Sequence, residues 1–270
     1  DLFRKKDLYQ LRFWTAYSVK KAEKIFTISN YSKSAICSYY KVPEEKVIVT
    51  YPGYDKEKFK IQNSTLRLGS GQEFKMEEGE KIKEHYGIDK DYILFVGTIQ
   101  PRKNIVRLIE AFYALSKLHT IQLVIVGKKG WLYSGIFETV KRLKLEEKVI
   151  FTHFVDENDL PDLYYGAKCC VLPSLYEGFG LPAVEAMSCG CPVVVSNISS
   201  LPEIVGNAGV YIDPYDVSSI EKGIQKASFD NVLRKKLTTK GLERVKQFSW
   251  ENCAQKTRAT LEEIAVRSSS

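Results

Sequence analysis

The chain has 270 residues, of which 44% are hydrophobic, and a net charge of +7. This length and composition support one large domain, or one and a half, with a substantial buried core. The six cysteines lack the spacing of a disulfide-stabilised domain, and no apolar run approaches the roughly 20 residues that a membrane-spanning helix needs.

The predicted elements begin with a basic helix over residues 1–24, which hold seven lysines and arginines against three acids. Aromatic side chains such as Trp14 lie between these charges. Two interpretations stay open: an amphipathic helix in contact with an anionic lipid surface, or a helix packed within a larger domain, which we favour. Because no nucleic-acid-binding motif accompanies the charge, we expect no nucleic acid as a partner.

A strand, a helix and a second strand are predicted before residue 55. KIFTIS indicates the first strand, SKSAICSYY the helix with Ser29 or Ser32 as its N-cap, and VIVTY the second strand. Residues 55–88 are polar, show little strand pattern and end in a short helical segment. We therefore predict a linker at 55–88.

Residues 89–249 alternate regularly between apolar runs and amphipathic helical segments. The apolar runs are YILFVG, IQLVIVG, KVIFTHF, CCVLPS, PVVVS and GVYIDP. Strands that are apolar throughout, separated by helices, indicate a parallel sheet covered on both faces. The sequence thus predicts an α/β, doubly wound, Rossmann-like domain that binds ligands at the carboxyl ends of its strands. A last helix is predicted at 250–270.

Two cations follow the first strand of this domain, at its carboxyl end. Gly97 lets the backbone turn there, and Arg102 and Lys103 lie in the same loop. Cations so placed can bind a phosphate group and stabilise negative charge that grows on it during a reaction. Arg102 can bind phosphate in a bidentate manner, and Lys103 acts as a point charge.

The stretch from Val171 to Ser196 reads as a strand, a glycine-rich turn, a helix and a strand. Gly178 and Gly180 leave room for a diphosphate to approach the backbone, and Pro182 suits the first helical position, where no N–H is needed. The first turn of a helix attracts anions because its N–H groups are unpaired. This pattern predicts a phosphate-binding site.

Two glutamates belong to the same stretch. Glu185 lies about one turn into the helix, and helical side chains lean towards the N-terminus. Its carboxylate is therefore placed to accept hydrogen bonds from two vicinal ribose hydroxyls. Glu177, on the loop, is predicted to lie nearer the group that the diphosphate carries. Phe179 is either a core anchor or a lid on the group that the diphosphate carries, and Leu181 offers backbone contact.

The spacing of Glu177 and Glu185, with seven residues between them, resembles the E-x7-E signature of retaining glycosyltransferases of the GT-B fold, family 4. The resemblance extends through EGFGLPAVEAM to SSLPEIVGNAGVYIDP and back to VGTIQPRKN. It implies that 89–249 is the C-terminal, nucleotide-sugar-binding domain and that 1–54 is a remnant of the N-terminal, acceptor-side domain. It also implies that the helix at 250–270 crosses back to that first domain.

The resemblance implies roles for individual residues. Glu177, Arg102 and Lys103 are the expected catalytic groups, and the nucleotide base is expected beside the segment from Phe151 to Val155. Related enzymes often carry an arginine where Thr98 stands here, so Arg102 as its substitute is a hypothesis. The full donor-binding set comprises Gly97, Arg102, Lys103, Phe151, His153, Val155, Glu177, Gly178, Phe179, Gly180, Leu181 and Glu185.

The resemblance implies transfer of a sugar, mannose first, from a nucleoside-diphosphate donor of the GDP or UDP type to a glycan or lipid-linked acceptor. We expect no cofactor and, because no DxD motif has a suitable setting, no metal. Two alternatives stay open. One is a donor-binding unit that needs a missing segment or a partner chain for turnover, and the other is a GT-B-type nucleotide-sugar epimerase.

The chain begins without methionine, which indicates a fragment or a processed chain. Free core thiols point to a reducing compartment. We therefore expect a cytoplasmic location, with peripheral contact at the inner face of the membrane under the lipid-binding interpretation of the first helix.

Overall fold

The computed structural model describes residues 5–59 and 80–269, with side chains described from residue 12 to residue 266 of those ranges. The start of the predicted basic helix and most of the predicted linker, at 60–79, lie outside the described residues. The part of the linker that is described ends in a helical segment at 80–85.

The chain divides into two units, and the first consists of Asp1–Tyr54 and Gln247–Ser270. It contains two parallel strands joined by a helix, as predicted. The Ser29 hydroxyl caps that helix by accepting the Ser32 backbone N–H at 3.1 Å. The elements of this unit are α1 (Lys5–Lys21), β1 (Ile25–Thr27), α2 (Asn30–Tyr40), β2 (Val47–Val49) and the C-terminal helix (Trp250–Ser269).

The predicted basic helix corresponds to α1, and the side chains of Phe13, Trp14 and Tyr17 on it are exposed. Among the helices that the structure describes, none combines the length and the apolar character that a bilayer crossing requires. The choice between lipid contact and packing within a larger domain stays a prediction.

The second unit, Asp55–Lys246, is built on one sheet of six parallel strands in the order β5-β4-β3-β6-β7-β8. This arrangement confirms the predicted α/β, doubly wound, Rossmann-like architecture. The strands are β3 (Tyr92–Val96), β4 (Gln122–Val126), β5 (Val149–His153), β6 (Cys169–Leu172), β7 (Val193–Ser196) and β8 (Gly209–Ile212). The helices are α3 (Ile105–Leu118), α4 (Ser134–Arg142), α5 (Leu160–Gly166), α6 (Leu181–Ser188), α7 (Leu201–Val205), α8 (Val217–Phe229) and α9 (Asn231–Arg244).

Apolar side chains explain why these segments form a covered sheet. Every residue of β4, β6 and β7 is buried, as expected for strands with helices on both faces. Helix α3 buries Leu108, Phe112 and Leu115, which recur at the helical spacing of one face. The core of the unit therefore lies between the sheet and the helices that connect its strands.

The strand order places two loops side by side. From β3 the chain proceeds outwards to β4 and β5, then returns to the other side of β3 as β6. The topological switch point therefore lies between β3 and β6, where open α/β sheets bind ligands at the carboxyl edge. The loops that leave this edge run from Gly97 to Asn104 and from Pro173 to Gly180.

Two glycines allow the loops after β3 and β4 to pack closely. Gly97 and Gly127 both adopt φ 152°, and a Cβ on Gly127 would lie 2.0 Å from the Gly97 carbonyl oxygen. Beyond them, the Ile99 N–H donates to the Lys128 carbonyl at 2.9 Å. The turn that carries the predicted cations is thus fixed against the neighbouring loop.

Replacing Gly127 with alanine is expected to destabilise the protein by about 3 kcal/mol, because the new Cβ meets backbone that cannot move aside and the φ angle is strained. Urea unfolding measures the change. Gly135→Ala is the control, since a Cβ there has nothing within 4 Å and alanine favours the helix by about 0.5–1 kcal/mol. Equal stability of the two variants would contradict this interpretation.

Candidate donor-binding site

The loop after β3 is tied to two other strand ends at the same edge of the sheet. The Asn104 side-chain amide donates to the carbonyls of Pro173 at 3.0 Å and Pro214 at 2.7 Å. The Leu175 N–H donates to the Arg102 carbonyl at 2.9 Å. These bonds hold the loops after β3, β6 and β8 in one arrangement.

A buried ion cluster occupies the switch point. The Lys103 ammonium lies 2.6 Å from Glu177 Oε1, and Arg102 Nη1 lies 3.0 Å from Glu177 Oε2. The Ser174 hydroxyl donates to Glu177 Oε1 at 2.7 Å, and Arg102 also donates to the Tyr176 carbonyl. The side chains of Lys103 and Glu177 are each 8% exposed, whereas that of Arg102 is 25% exposed.

The surroundings of Glu177 decide its charge. Burial alone raises the pKa of this carboxyl, but the adjacent Lys103 ammonium opposes that effect by its charge and its hydrogen bond. With the further contributions of Ser174 and Arg102, the pKa of Glu177 lies below its usual value. Glu177 is therefore a carboxylate at neutral pH.

The sequence predicts Arg102 and Lys103 near a phosphate and Glu177 near a sugar, and the structure shows in addition that Glu177 contacts both cations. Two cations against one carboxylate leave a local charge of +1, so the cluster still attracts an anion. Arg102 is the more accessible of the two cations, and buried Lys103 is held in place by Glu177. Whether these residues bind the donor stays a prediction.

Helix α6 begins beside this cluster. Gly180 caps it with φ 101°, and a Cβ on Gly180 would lie 2.7 Å from the Leu201 side chain. The helix starts at Leu181, so Pro182 is its second residue rather than its first. The side chain of Leu181 is exposed, and its backbone contact stays a prediction, while the burial of Phe179 favours a core anchor over a lid.

Two serines that sequence reasoning did not single out fix the loop before α6. The Ser200 hydroxyl donates to the carbonyls of Glu177 at 2.9 Å and Phe179 at 3.1 Å. The Ser199 hydroxyl accepts the Glu177 backbone N–H at 3.2 Å. These contacts hold the loop, including Gly178, against the start of α7.

Glu185 lies in α6, and one of its oxygens is occupied. The Tyr164 hydroxyl donates to Glu185 Oε2 at 2.9 Å. Burial raises the pKa of Glu185, and the hydrogen bond from Tyr164 lowers it in part. An ionised Glu185 therefore costs folding free energy in the absence of a ligand.

Glu185→Gln is expected to raise the stability of the ligand-free protein at pH 7 by up to about 1 kcal/mol, because it removes a charge that partial burial makes unfavourable. The pKa of Glu185 in the folded protein lies above the usual 4.5. The wild type therefore loses stability as the pH rises from 4.5 to beyond that raised pKa. Urea unfolding at pH 7 and pH 4 tests this difference, which should largely vanish at pH 4. A variant less stable than the wild type at pH 7 would contradict it.

The segment expected beside the base lies at the end of β5, the edge strand on one side of the sheet. Phe151 packs against Phe137, with ring centroids 4.6 Å apart, and Val155 is buried. His153 is exposed and adopts φ 59°. The side chains of Phe151 and Val155 thus face the protein, whereas that of His153 is exposed.

Comparisons with known proteins agree with this architecture. Residues 78–244 match the family model described as Glycosyl transferases group 1. The chain is 36% identical over 243 residues to the O-antigen chain mannosyltransferase B of Escherichia coli, a match that covers 89% of this chain and 60% of that protein. It is 33% identical over 214 residues to the O-antigen chain mannosyltransferase RfbU of Salmonella typhimurium, covering 79% and 53%. The chain thus spans little more than half the length of these relatives.

Solved structures show the same fold. Anabaena Alr3699/HepE, determined in complex with UDP and glucose, aligns with a TM-score of 0.81 and 21% identity over 97% of this chain and 69% of its own. Sucrose-phosphate synthase from Thermosynechococcus elongatus aligns with a TM-score of 0.75 and 24% identity over 93% of this chain and 61% of its own. These neighbours confirm the GT-B fold predicted from the sequence.

Proposed function

This chain belongs to the glycosyl transferases group 1 family, and from that membership we propose that it binds a nucleoside-diphosphate sugar at the switch point of its six-stranded sheet. The proposed reaction is retaining glycosyl transfer to a glycan or lipid-linked acceptor. Mannose is the favoured sugar, because two relatives at 36% and 33% identity are named mannosyltransferases. The donor base is guanine or uracil.

The observation that carries this proposal is the ion cluster beside the start of α6. Arg102 and Lys103 supply fixed positive charge. In the first turn of α6 Pro182 has no N–H and the Ala183 N–H donates to the Gly180 carbonyl, so the helix contributes mainly the positive end of its dipole. A diphosphate between these elements meets cations on one side and a helix N-terminus on the other. Glu185, about one turn further along α6, then accepts the ribose hydroxyls.

The same groups favour the transition state of transfer. The bond between the sugar C1 and the diphosphate oxygen breaks, and a hydroxyl oxygen of the acceptor bonds to C1 on the same face. The proton of that hydroxyl passes to the leaving phosphate, which acts as the base. Because charge grows on the diphosphate during this step, Arg102 and Lys103 stabilise the transition state more than the ground state. In this proposal no metal takes part, so a chelator leaves transfer intact.

A second candidate is a donor-binding unit without turnover of its own. It is favoured by the share of the relatives that the chain spans, 60% and 53%. Incubating this polypeptide with labelled sugar nucleotide and an acceptor glycan separates the two candidates. Transfer by the chain itself supports the first, and donor binding without transfer supports the second.

Calorimetric titration with GDP, UDP and ADP, followed by GDP-mannose and UDP-glucose, tests the proposal. We expect one of the first two nucleotides to bind with a Kd in the micromolar range, about −8 kcal/mol, and its sugar nucleotide to bind at the same site. Failure to bind any of these nucleotides would overturn both candidates.

A further inference from the structure

We propose that Tyr164 is a positioning residue, which holds Glu185 so that one carboxylate oxygen faces the ribose hydroxyls of the nucleotide. This inference rests on the proposed function. It concerns a residue of α5, a helix that contributes none of the side chains predicted to bind the donor.

The contact is specific in its geometry. Tyr164 is fully buried, and its single O–H donates to Glu185 Oε2 at 2.9 Å. Glu185 Oε1 accepts no hydrogen bond within the part of the chain that the structure describes, and it is not among the buried unpaired atoms. One oxygen is thus held by the protein, and the other is available to a ligand.

The partial burial of Glu185 makes a fixed hydrogen-bond donor important. Burial disfavours the charged form of Glu185, and Tyr164 is its hydrogen-bond donor among the described side chains. Burial also raises the pKa of Tyr164 well above 10, so the phenol keeps its proton. Lys58 and Glu157 act on Glu185 in opposite directions by charge, and they pair with each other at 3.0 Å.

The phenol ring is itself held in place. Phe59, which is buried, packs edge-on against the Tyr164 ring with centroids 6.1 Å apart. The preceding residue of α5, Leu163, accepts a hydrogen bond at its carbonyl from the Tyr92 hydroxyl at 2.7 Å. Helix α5 is therefore anchored to β3, and Tyr164 approaches Glu185 from a fixed support.

Tyr92 provides a matched control. Like Tyr164 it is a buried phenol whose hydroxyl donates one hydrogen bond, but its acceptor is the Leu163 backbone carbonyl and not Glu185. Both Tyr164→Phe and Tyr92→Phe remove one buried hydroxyl, and we expect both to lower the melting temperature. Only the first changes the surroundings of Glu185.

The test compares the affinity for a ribonucleotide with that for its 2′-deoxy analogue, using GDP and 2′-deoxy-GDP or the uracil pair, whichever binds the wild type. We expect the wild type to prefer the ribonucleotide at least tenfold, Tyr164→Phe to reduce that preference at least threefold, and Tyr92→Phe to keep it. If Tyr164→Phe does not fold, Tyr164→Met removes the hydroxyl with a side chain that adapts to irregular space.

A wild-type preference kept in full by the Tyr164 variant would overturn the inference while the proposed function stands. An equal reduction in the Tyr92 variant would also overturn it, because the effect would then follow from general loosening of α5. Absence of any nucleotide binding by the wild type would overturn the proposed function and this inference with it.

Discussion

Replacing Lys103 with alanine is expected to lower the affinity for a nucleoside diphosphate at least tenfold and to destabilise the protein by about 3 kcal/mol. Lys103 is buried, and its ammonium lies 2.6 Å from Glu177. Its removal takes away a cation at the switch point. The buried negative charge of Glu177 is then balanced by Arg102 alone among its two cationic partners. A tenfold loss of affinity corresponds to about 1.4 kcal/mol.

Lys168→Ala is the matched control for this variant. Lys168 pairs with Asp91 at 2.7 Å, but both residues precede strands and so lie at the opposite edge of the sheet, partly in solvent. An ion pair of that kind contributes about 0–1 kcal/mol. Calorimetry and urea unfolding on both variants check the prediction. Unchanged nucleotide affinity in Lys103→Ala would remove this residue from the site.

Replacing Glu177 with glutamine is expected to act differently on binding and on transfer. The variant raises the local charge of the cluster from +1 to +2, so the affinity for a free nucleoside diphosphate should not fall. The rate of transfer should fall about 100-fold, because Glu177 is the group proposed to lie beside the sugar. If the chain has no transfer activity, the affinity for the sugar nucleotide relative to that for the free diphosphate should fall instead. A parallel loss of diphosphate affinity would contradict this assignment.

The same variant has a pH-dependent effect on stability. The pKa of Glu177 in the folded protein lies below its usual 4.5, so its carboxylate contributes stability that is complete above 4.5 and is lost as the pH falls through the folded pKa. At pH 7 we expect the free energy of unfolding of the wild type to exceed that of Glu177→Gln by about 3 kcal/mol. This difference should shrink below pH 4.5.

Glu110→Gln serves as the control for the pH series. Glu110 pairs with Arg142 at 3.1 Å on the helical surface of the same unit, where both side chains meet solvent. Its replacement should change stability by less than about 1 kcal/mol at every pH. If the stability difference between the wild type and Glu177→Gln stayed constant with pH, the ionised form of Glu177 would not be the form that stabilises the protein.

The fold was predictable because its signals are local. The apolar runs of β3, β4 and β7 and the spacing of Leu108, Phe112 and Leu115 are visible without knowledge of partners. Parallel strands share one carboxyl edge, so the position of both predicted loops at that edge also followed from the sequence, whereas the strand order did not. The order of the strands brings the loops after β3 and β6 together.

The contacts within the site were not predictable, since they join residues far apart in the chain. Lys103 and Glu177 are separated by 74 residues, and Asn104 donates to Pro214 across 110. No periodicity indicates such pairs. The role of the Tyr164 hydroxyl was not predictable for the same reason. In sequence, a tyrosine in an amphipathic helix is indistinguishable from a core residue, and its acceptor, Glu185, becomes evident only in the structure.

The central claim is that a nucleoside diphosphate binds between the loop Gly97–Asn104 and the start of α6. Crystals soaked with the nucleotide that binds best in solution test it most directly. We expect density for the diphosphate beside Arg102 and the first turn of α6, with the ribose at Glu185. An ordered nucleotide elsewhere on the protein, with this edge of the sheet empty, would contradict the account.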